Sequence, residues 1–316
     1  MEFNLKKNTK IFIAGHKGLI GSAFIRYLNK NNYNNIITKT RAELELTSEN
    51  DVNKFFKETL PDIVILSAGK VGGILENRDF PADFMRENLS IQQNIFNASQ
   101  EHNVKKVIFF GSSCMYPRDT SQPMKEDQLF TGQLEPTSIA YAIAKYAGVQ
   151  MCHALNRQNN FVSFIPVIPN SVYGPNDNFD LESSHVLSAL IRRFDEAKNT
   201  NADKVVLWGT GSPKREFIFS DDVVIACIKL LNMNLDLEDV PINIGVGSDI
   251  SIKELAEKIA KMLDYSGKIE WDISKPDGTI RKLLDSSKIK SLGWKHKMQL
   301  DSGLRHTYKW YREDFK

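Results

Sequence analysis

Tyr141 and Lys145 stand four residues apart in the run Tyr-Ala-Ile-Ala-Lys, and Ser112 precedes them in Gly-Ser-Ser-Cys-Met-Tyr-Pro at the end of an apolar stretch. On a helix, residues at this spacing share one face. A cation held beside a phenol favours the phenolate, which draws a group with a free pKa of about 10 toward neutrality. Tyr141 is therefore a candidate proton donor, and Ser112 a candidate hydroxyl partner for the same reacting oxygen. Tyrosine and lysine also meet this spacing on helix surfaces that do no chemistry. The neighbouring elements distinguish the two cases.

The run KIFIA (10–14) fits a strand buried on both faces, as in a parallel sheet. Gly15, Gly18 and Gly21 follow at GxxGxxG spacing, and an amphipathic helix is predicted from Leu19 to Leu28. Strand, glycine turn and helix in this order form a phosphate cradle, in which backbone N–H groups near Gly15, Gly18, Leu19, Ile20 and Gly21 face a dinucleotide pyrophosphate. A second strand at 35–38 leads to Lys39-Thr40-Arg41, and the first acid, Glu43, lies beyond the arginine. An acid at this point binds a ribose 2′-OH, whereas an arginine accommodates a 2′-phosphate. The expected cofactor is NADP/NADPH, with Arg41 on the phosphate. A third strand at 62–67 ends in small residues from Ala68, which let the backbone run close to the cofactor. A long helix is predicted over 81–103, and a strand at 107–110 delivers Ser112 to its carboxyl end, where open parallel sheets bind ligands. The helix carrying Tyr141 runs on to about Leu155 and is followed by a strand at 161–168.

Alternating strands and helices with no solenoid repeat indicate an α/β fold, a Rossmann-like doubly wound parallel sheet with a smaller α/β C-terminal substrate domain. Turn formers at 169–179 separate the halves. The expected division is 1–173 with 219–245 for the NADP-binding domain, and 174–218 with 246–316 for the substrate domain. Within the latter, helices are predicted near 185–197 and 251–263, the second opened by a Ser251/Glu254 capping box, with a strand at 205–208. The 316 residues are 41% hydrophobic and 25% charged, with a net charge of +2 and no basic block, so nucleic acid is not an expected partner. Cys114, Cys152 and Cys227 show neither CxxC nor metal-ligand spacing, which implies no metal site and a reducing compartment. The N-terminus runs into the first strand without a signal-like apolar segment, and no apolar run approaches membrane-spanning length. A cytoplasmic protein with no membrane association is expected.

The segments GHKGLIGSAF, KVGGI, PADF, GSSCMYP, EPT before YAIAK, YGPNDNF, SSHV with IRRF, LWGTGSPKREF and KPDGTIRKLLD resemble the extended short-chain dehydrogenase/reductases, and within them the GDP-L-fucose synthase subfamily. They extend from the first strand to about Asp285. The resemblance implies NADPH-dependent reduction of a GDP-4-keto sugar after epimerisation at carbons 3 and 5, and a homodimer formed through long helices. It implies that Tyr141 protonates the carbon-4 oxygen with help from Lys145 and Ser112, and that Lys145 also holds the nicotinamide ribose. Cys114 and His185 match the residues that exchange the protons beside the ketone. Ser171 matches a position near the sugar, Arg193, Arg215 and Lys282 match positions facing the diphosphate or the sugar nucleotide, and Trp208 is expected to pack on the nucleotide.

Two departures leave the sugar open. The family's Pro-Thr-Asn before Leu-Tyr-Gly-Pro is Pro169-Asn170-Ser171 here, and its Asn-Glu-Pro before the tyrosine is Ser138-Ile139-Ala140. A carbon-4 reductase without epimerase activity, acting on a GDP-4-keto-heptose, is the alternative, and a non-catalytic NADP-binding sensor is a third. A 4,6-dehydratase is disfavoured, because Ser113-Cys114 stands where that family carries an acidic pair.

Overall fold

The computed structural model describes residues 4–181, 183–275 and 277–316. In chain order the first half comprises β1 (Ile11–Ala14), α1 (Leu19–Lys30), β2 (Ile36–Lys39), α2 (Glu49–Thr59), β3 (Ile63–Leu66), α3 (Ile74–Asp79), α4 (Pro81–Glu101), β4 (Lys106–Phe110), α5 (Ile139–Asn159), β5 (Phe164–Pro169) and β6 (Val172–Tyr173). The second half adds α6 (Val186–Asn199), β7 (Lys204–Trp208), β8 (Lys214–Arg215), β9 (Ile218–Phe219), α7 (Ser220–Leu231), β10 (Ile242–Ile244), β11 (Ile250–Ser251), α8 (Ile252–Met262), β12 (Lys268–Asp272), β13 (Arg281–Lys282), α9 (Ser287–Ser291) and α10 (Leu300–Trp310).

Six strands form one parallel sheet in the order β10-β5-β4-β3-β1-β2. Every residue of β1, β3, β4 and β5 is buried, which explains why these strands read as continuous apolar runs and not as alternating ones. The chain leaves β1 toward β2 and then crosses back to β3 on the other side. The strand order therefore reverses between β1 and β3, and ligands of such sheets sit outside the carboxyl ends at that reversal. Two hydrophobic cores cover the sheet faces, one through α1 and α7, the other through α2, α4 and α5.

A third core is built from α6, α8 and α10 around Phe179, Phe194, Phe219 and Tyr311. Ile289 and Trp294, although late in the chain, pack into the first core beside the sheet. Among the described residues the outer half carries short pairings: β7 with β12, β8 between β11 and β13, and β6 with β9. Ser251 and Glu254 form the expected capping box, with the Ser251 hydroxyl accepting from the Glu254 N–H at 3.1 Å. Helix boundaries shift by one to four residues from those predicted. The small-residue segment after Ala68 runs into α3, a short helix the sequence pattern did not suggest, because its six residues are too few to show a helical period.

Candidate active site

The glycine turn lies at the strand-order reversal, and two of its glycines, Gly15 and Gly21, are sterically required. Gly15 has φ +88°, and a Cβ there would meet the Ala68 backbone nitrogen at 2.7 Å. A Cβ on Gly21 would collide with the Gly15 carbonyl oxygen. Helix α1 thus starts hard against the end of β1, while Ala68 closes the turn from β3. The N-cap is Gly18, which supplies no side-chain acceptor, and the first turn holds no acid. Its N–H groups are left to an anion, which fits the pyrophosphate of a dinucleotide. Arg41 follows β2 at the expected place, with an exposed guanidinium paired to Glu45 at 2.9 Å and Glu87 at 3.5 Å. Exposed pairs of this kind contribute little and exchange readily for a phosphate.

The chemistry-bearing residues gather at the carboxyl end of β4. After Phe110 and Gly111 the chain turns into a short 3₁₀ segment, Ser113–Met115, whose N-cap is Ser112. The Ser112 hydroxyl accepts from the Cys114 N–H at 3.2 Å. This fixes the hydroxyl and the thiol as neighbours. Tyr141 lies in the first turn of α5, its ring edge-on to Phe84 at 6.1 Å, and its phenol hydrogen-bonds Ser112. Lys145 follows one turn later and is buried, its ammonium 4.6 Å from the Phe109 ring centroid. Gly148 lets α5 lie this close to β4, since a Cβ there would run into the Phe109 ring.

Burial sets the protonation of this pair. It pushes the Tyr141 phenol above its ordinary value, the nearby Cys114 adds to that, and the Ser112 hydrogen bond only partly offsets both. Burial also pushes Lys145 down to about 8, with Cys152 acting against it. The expectation of a phenol drawn toward neutrality by Lys145 is therefore not met: desolvation dominates both groups, and the groups acting on the phenol are Cys114 and Ser112, not Lys145. A phenol that keeps its proton is the form that donates one. Lys145 is cationic below about pH 8 and neutral above it, so any function of its ammonium is lost as pH rises through that value. We expect kcat/KM for NADPH, which reports the free enzyme, to fall above about pH 8, and Lys145→Arg to move that limb to higher pH. A profile that stays flat well above pH 8 contradicts the assignment.

Cys114 is held by charge from the far end of the chain. The Lys282 ammonium, on β13, lies 3.5 Å from the Cys114 sulfur. Burial alone raises the thiol's pKa, but the Lys282 charge, followed by hydrogen bonds from Ser112, Lys282 and Ser138, outweighs it and leaves the thiol below its ordinary value. Arg215 on β8 adds a further favourable interaction, and burial lowers the pKa of its own guanidinium. Ser112, Cys114, Tyr141, Arg215 and Lys282 thus form one cluster.

The remaining candidates lie on other elements. His185 is the exposed N-cap residue of α6, and Arg193 lies half-buried within the same helix. Trp208, 53% exposed at the end of β7, is flanked by the Lys275 ammonium at 5.6 Å from its ring centroid. Ser171, between β5 and β6, has φ +34°, a left-handed conformation that Asn adopts more readily than Ser.

The sequence matches the NAD dependent epimerase/dehydratase family over residues 11–245. The chain belongs to that family. Among curated members, GDP-L-fucose synthase 1 of Arabidopsis thaliana is 52% identical over 305 residues, covering 96% of this chain and 94% of that protein. GDP-L-fucose synthase of Escherichia coli (strain K12) is 45% identical over 312 residues, covering 96% and 97%. Among solved structures, a GDP-mannoheptose carbon-4 reductase from Campylobacter jejuni with NADP bound is 41% identical, with a TM-score of 0.90 over 98% of this chain and 100% of that one.

Sequence reasoning missed three members of the site's surroundings. Ser138 was noticed only as a departure from the family pattern, yet it hydrogen-bonds the Cys114 thiol. Asn170, not Ser171, turns inward, accepting from the Ser113 hydroxyl at 3.0 Å. Glu216 is fully buried behind the cluster. Its one sequence signal is a carboxylate abutting the apolar run Phe217-Ile218-Phe219.

Proposed function

We propose that this protein reduces the carbon-4 ketone of a GDP-4-keto-6-deoxy sugar with NADPH after inverting carbons 3 and 5, the two activities of a GDP-L-fucose synthase. The observation that carries the proposal is the Lys282 ammonium 3.5 Å from Cys114 in the same turn as Ser112. A thiol brought toward its thiolate is an acid–base group, and reduction alone does not require one beside the proton-donating phenol.

The ketone makes the protons on carbons 3 and 5 acidic, because the resulting carbanion delocalises onto the carbonyl oxygen. Ser112 and Tyr141 hold that oxygen, and Cys114 with His185 exchanges the flanking protons from opposite faces of the ring. The N-terminus of α1 would hold the pyrophosphate of NADPH, which when bound would supply the hydride for carbon 4. Tyr141 then passes its proton to the oxygen, with Lys145 beside it. Arg193, Arg215 and Trp208 serve the nucleotide, and Arg41 the 2′-phosphate of the cofactor.

The division into an NADP-binding half and a sugar-nucleotide half, a cytoplasmic setting and a homodimer belong to the same reading. In support of the last, α4 and α5 are each 21 residues long and pack side by side, and α5 exposes Met151. Among the described residues no helix is long and apolar enough to cross a membrane.

A second reading, reduction of a GDP-4-keto-heptose without epimerisation, is favoured by the heptose reductase likeness and by Ser138 and Ser171 at the sugar end. Purified protein with NADPH and either GDP-4-keto-6-deoxymannose or its heptose counterpart separates the two readings. NADPH consumption with the 6-deoxy sugar, and deuterium from heavy water at carbons 3 and 5 of the product, is the expected result. Turnover of the heptose alone, without deuterium, replaces the first reading with the second, and binding of NADPH without turnover of either sugar removes both.

A further inference from the structure

The Cys114–Lys282 contact joins residues 168 positions apart, so something other than local structure must hold it. Lysine is a flexible side chain, and its Nζ alone does not fix the strand that carries it. Strand β13 is two residues long and among the described residues pairs with β8 alone, while the chain just after it is also held by Gln122 and Met124, the Leu283 N–H donating to Gln122 Oε1 and the Met124 N–H to the Leu283 carbonyl, both at 2.8 Å.

Behind that strand lies the fully buried side chain of Glu216. One carboxylate oxygen accepts from the Gly247 N–H at 2.6 Å, and the other from the Leu284 N–H at 3.0 Å and the Asn170 side-chain amide at 3.3 Å. All of these groups are donors, a coordination that suits a carboxylate and no neutral side chain of the same shape. Gly245 admits the carboxylate, since a Cβ there would lie 2.6 Å from both of its oxygens. The Asn170 amide also donates to the Lys282 carbonyl at 2.9 Å, while its own carbonyl takes the Ser113 hydroxyl at 3.0 Å. The backbone on both sides of Leu283 is thereby tied to Glu216, directly at Leu284 and through Asn170 at Lys282, and the same amide reaches the residue next to Cys114.

We infer that Glu216 is a positioning residue, which through Asn170 and Ser113 sets the distance between the Lys282 ammonium and the Cys114 sulfur. A buried carboxylate is costly to maintain, and replacing such groups by apolar ones is often neutral or stabilising. This one converges the carboxyl ends of β5 and β10 and the backbone after β13 on a single point. Among the described residues the charged and titratable groups facing Cys114 are Lys282 on β13, Arg215 on β8 and Tyr141 on α5; Lys282 is bonded to the frame through its backbone carbonyl, and Arg215 adjoins Glu216 in the chain. The inference rests on Cys114 acting as an acid–base group, but its test needs neither sugar nor cofactor.

Iodoacetamide alkylation of the full-length protein, followed by mass spectrometry across pH, reads the thiol directly. Cys152 and Cys227 are fully buried and act as internal reporters of folding. Lys282→Met should slow Cys114 alkylation near neutrality about tenfold, as expected when a thiol returns to its ordinary titration range. Glu216→Gln should reproduce most of that loss with Cys152 and Cys227 still protected, and the double variant should be no slower than Lys282→Met alone. An unchanged Cys114 profile in folded Glu216→Gln, or losses that multiply in the double variant, overturns the inference. If Glu216→Gln exposes the other thiols, Ser113→Ala decides, since it removes one hydrogen bond of the frame. A measurable slowing, about threefold, sustains the inference, and a wild-type profile ends it. Because deuterium exchange in Cys114→Ser tests the epimerase reading separately, failure of the frame and failure of that reading are distinguishable.

Discussion

Tyr141→Phe lowers carbon-4 reduction by about 10²–10⁴-fold, the range expected for loss of a positioned general acid, and leaves NADPH affinity close to that of the wild type. The Tyr141 side chain is half-buried, desolvation holds the phenol's pKa above its ordinary value so that it keeps its proton, and it sits against the Ser112 hydroxyl. Phenylalanine retains the edge-on packing on Phe84 and removes only the oxygen. The alkoxide formed at carbon 4 then has no donor at the right place, since Lys145 points into the protein over Phe109. Single-turnover absorbance of NADPH measures the step. The effect belongs in the rate of hydride transfer and not in the affinity for either ligand. Turnover within a factor of two of wild type would remove Tyr141 from the chemistry.

Cys114→Ser abolishes deuterium entry at carbons 3 and 5 to within detection, a loss of at least about 10²-fold on the scale of general acid–base catalysis. Serine keeps the size and the hydrogen bond to the 3₁₀ turn, but its hydroxyl ionises far above neutrality, so the Lys282 charge has no accessible anion to favour. Reduction of a 4-keto sugar already carrying the product configuration at carbons 3 and 5 should continue, because Ser112 and Tyr141 are untouched. Product analysis by NMR in heavy water separates the two outcomes. If exchange persists in Cys114→Ser, the proton is removed by another group and the thiol is incidental. If exchange and reduction vanish together while the protein remains folded, the two steps share the cysteine, and the assignment of reduction to Tyr141 alone is incomplete.

These expectations draw unequally on sequence and structure. Buried strands in a parallel sheet must be apolar throughout, so KIFIA and DIVILS revealed themselves. Glycines that permit close approach are required by local backbone geometry, and Gly15 and Gly21 were legible for that reason. The spacing of Tyr141 and Lys145 is a property of one helix, and the capping box at Ser251 a property of one turn. Each of these signals is complete within a few residues.

What sequence alone determined is therefore the order of elements, the carboxyl end of the sheet as the place of chemistry, and the residue types delivered there. Only the tertiary structure decided which of them meet. Lys282, whose expected place faces the diphosphate or the sugar nucleotide, lies against Cys114 through the pairing of β13 with β8, a contact no local sequence pattern shows. Asn170 and not Ser171 faces inward, because a left-handed residue follows β5 and turns the chain. The protonation of Tyr141 and Lys145 runs opposite to what their spacing suggests, since it is set by how much water packing removes. Burial and long-range pairing depend on every element around a residue, and no window of neighbouring sequence contains that information.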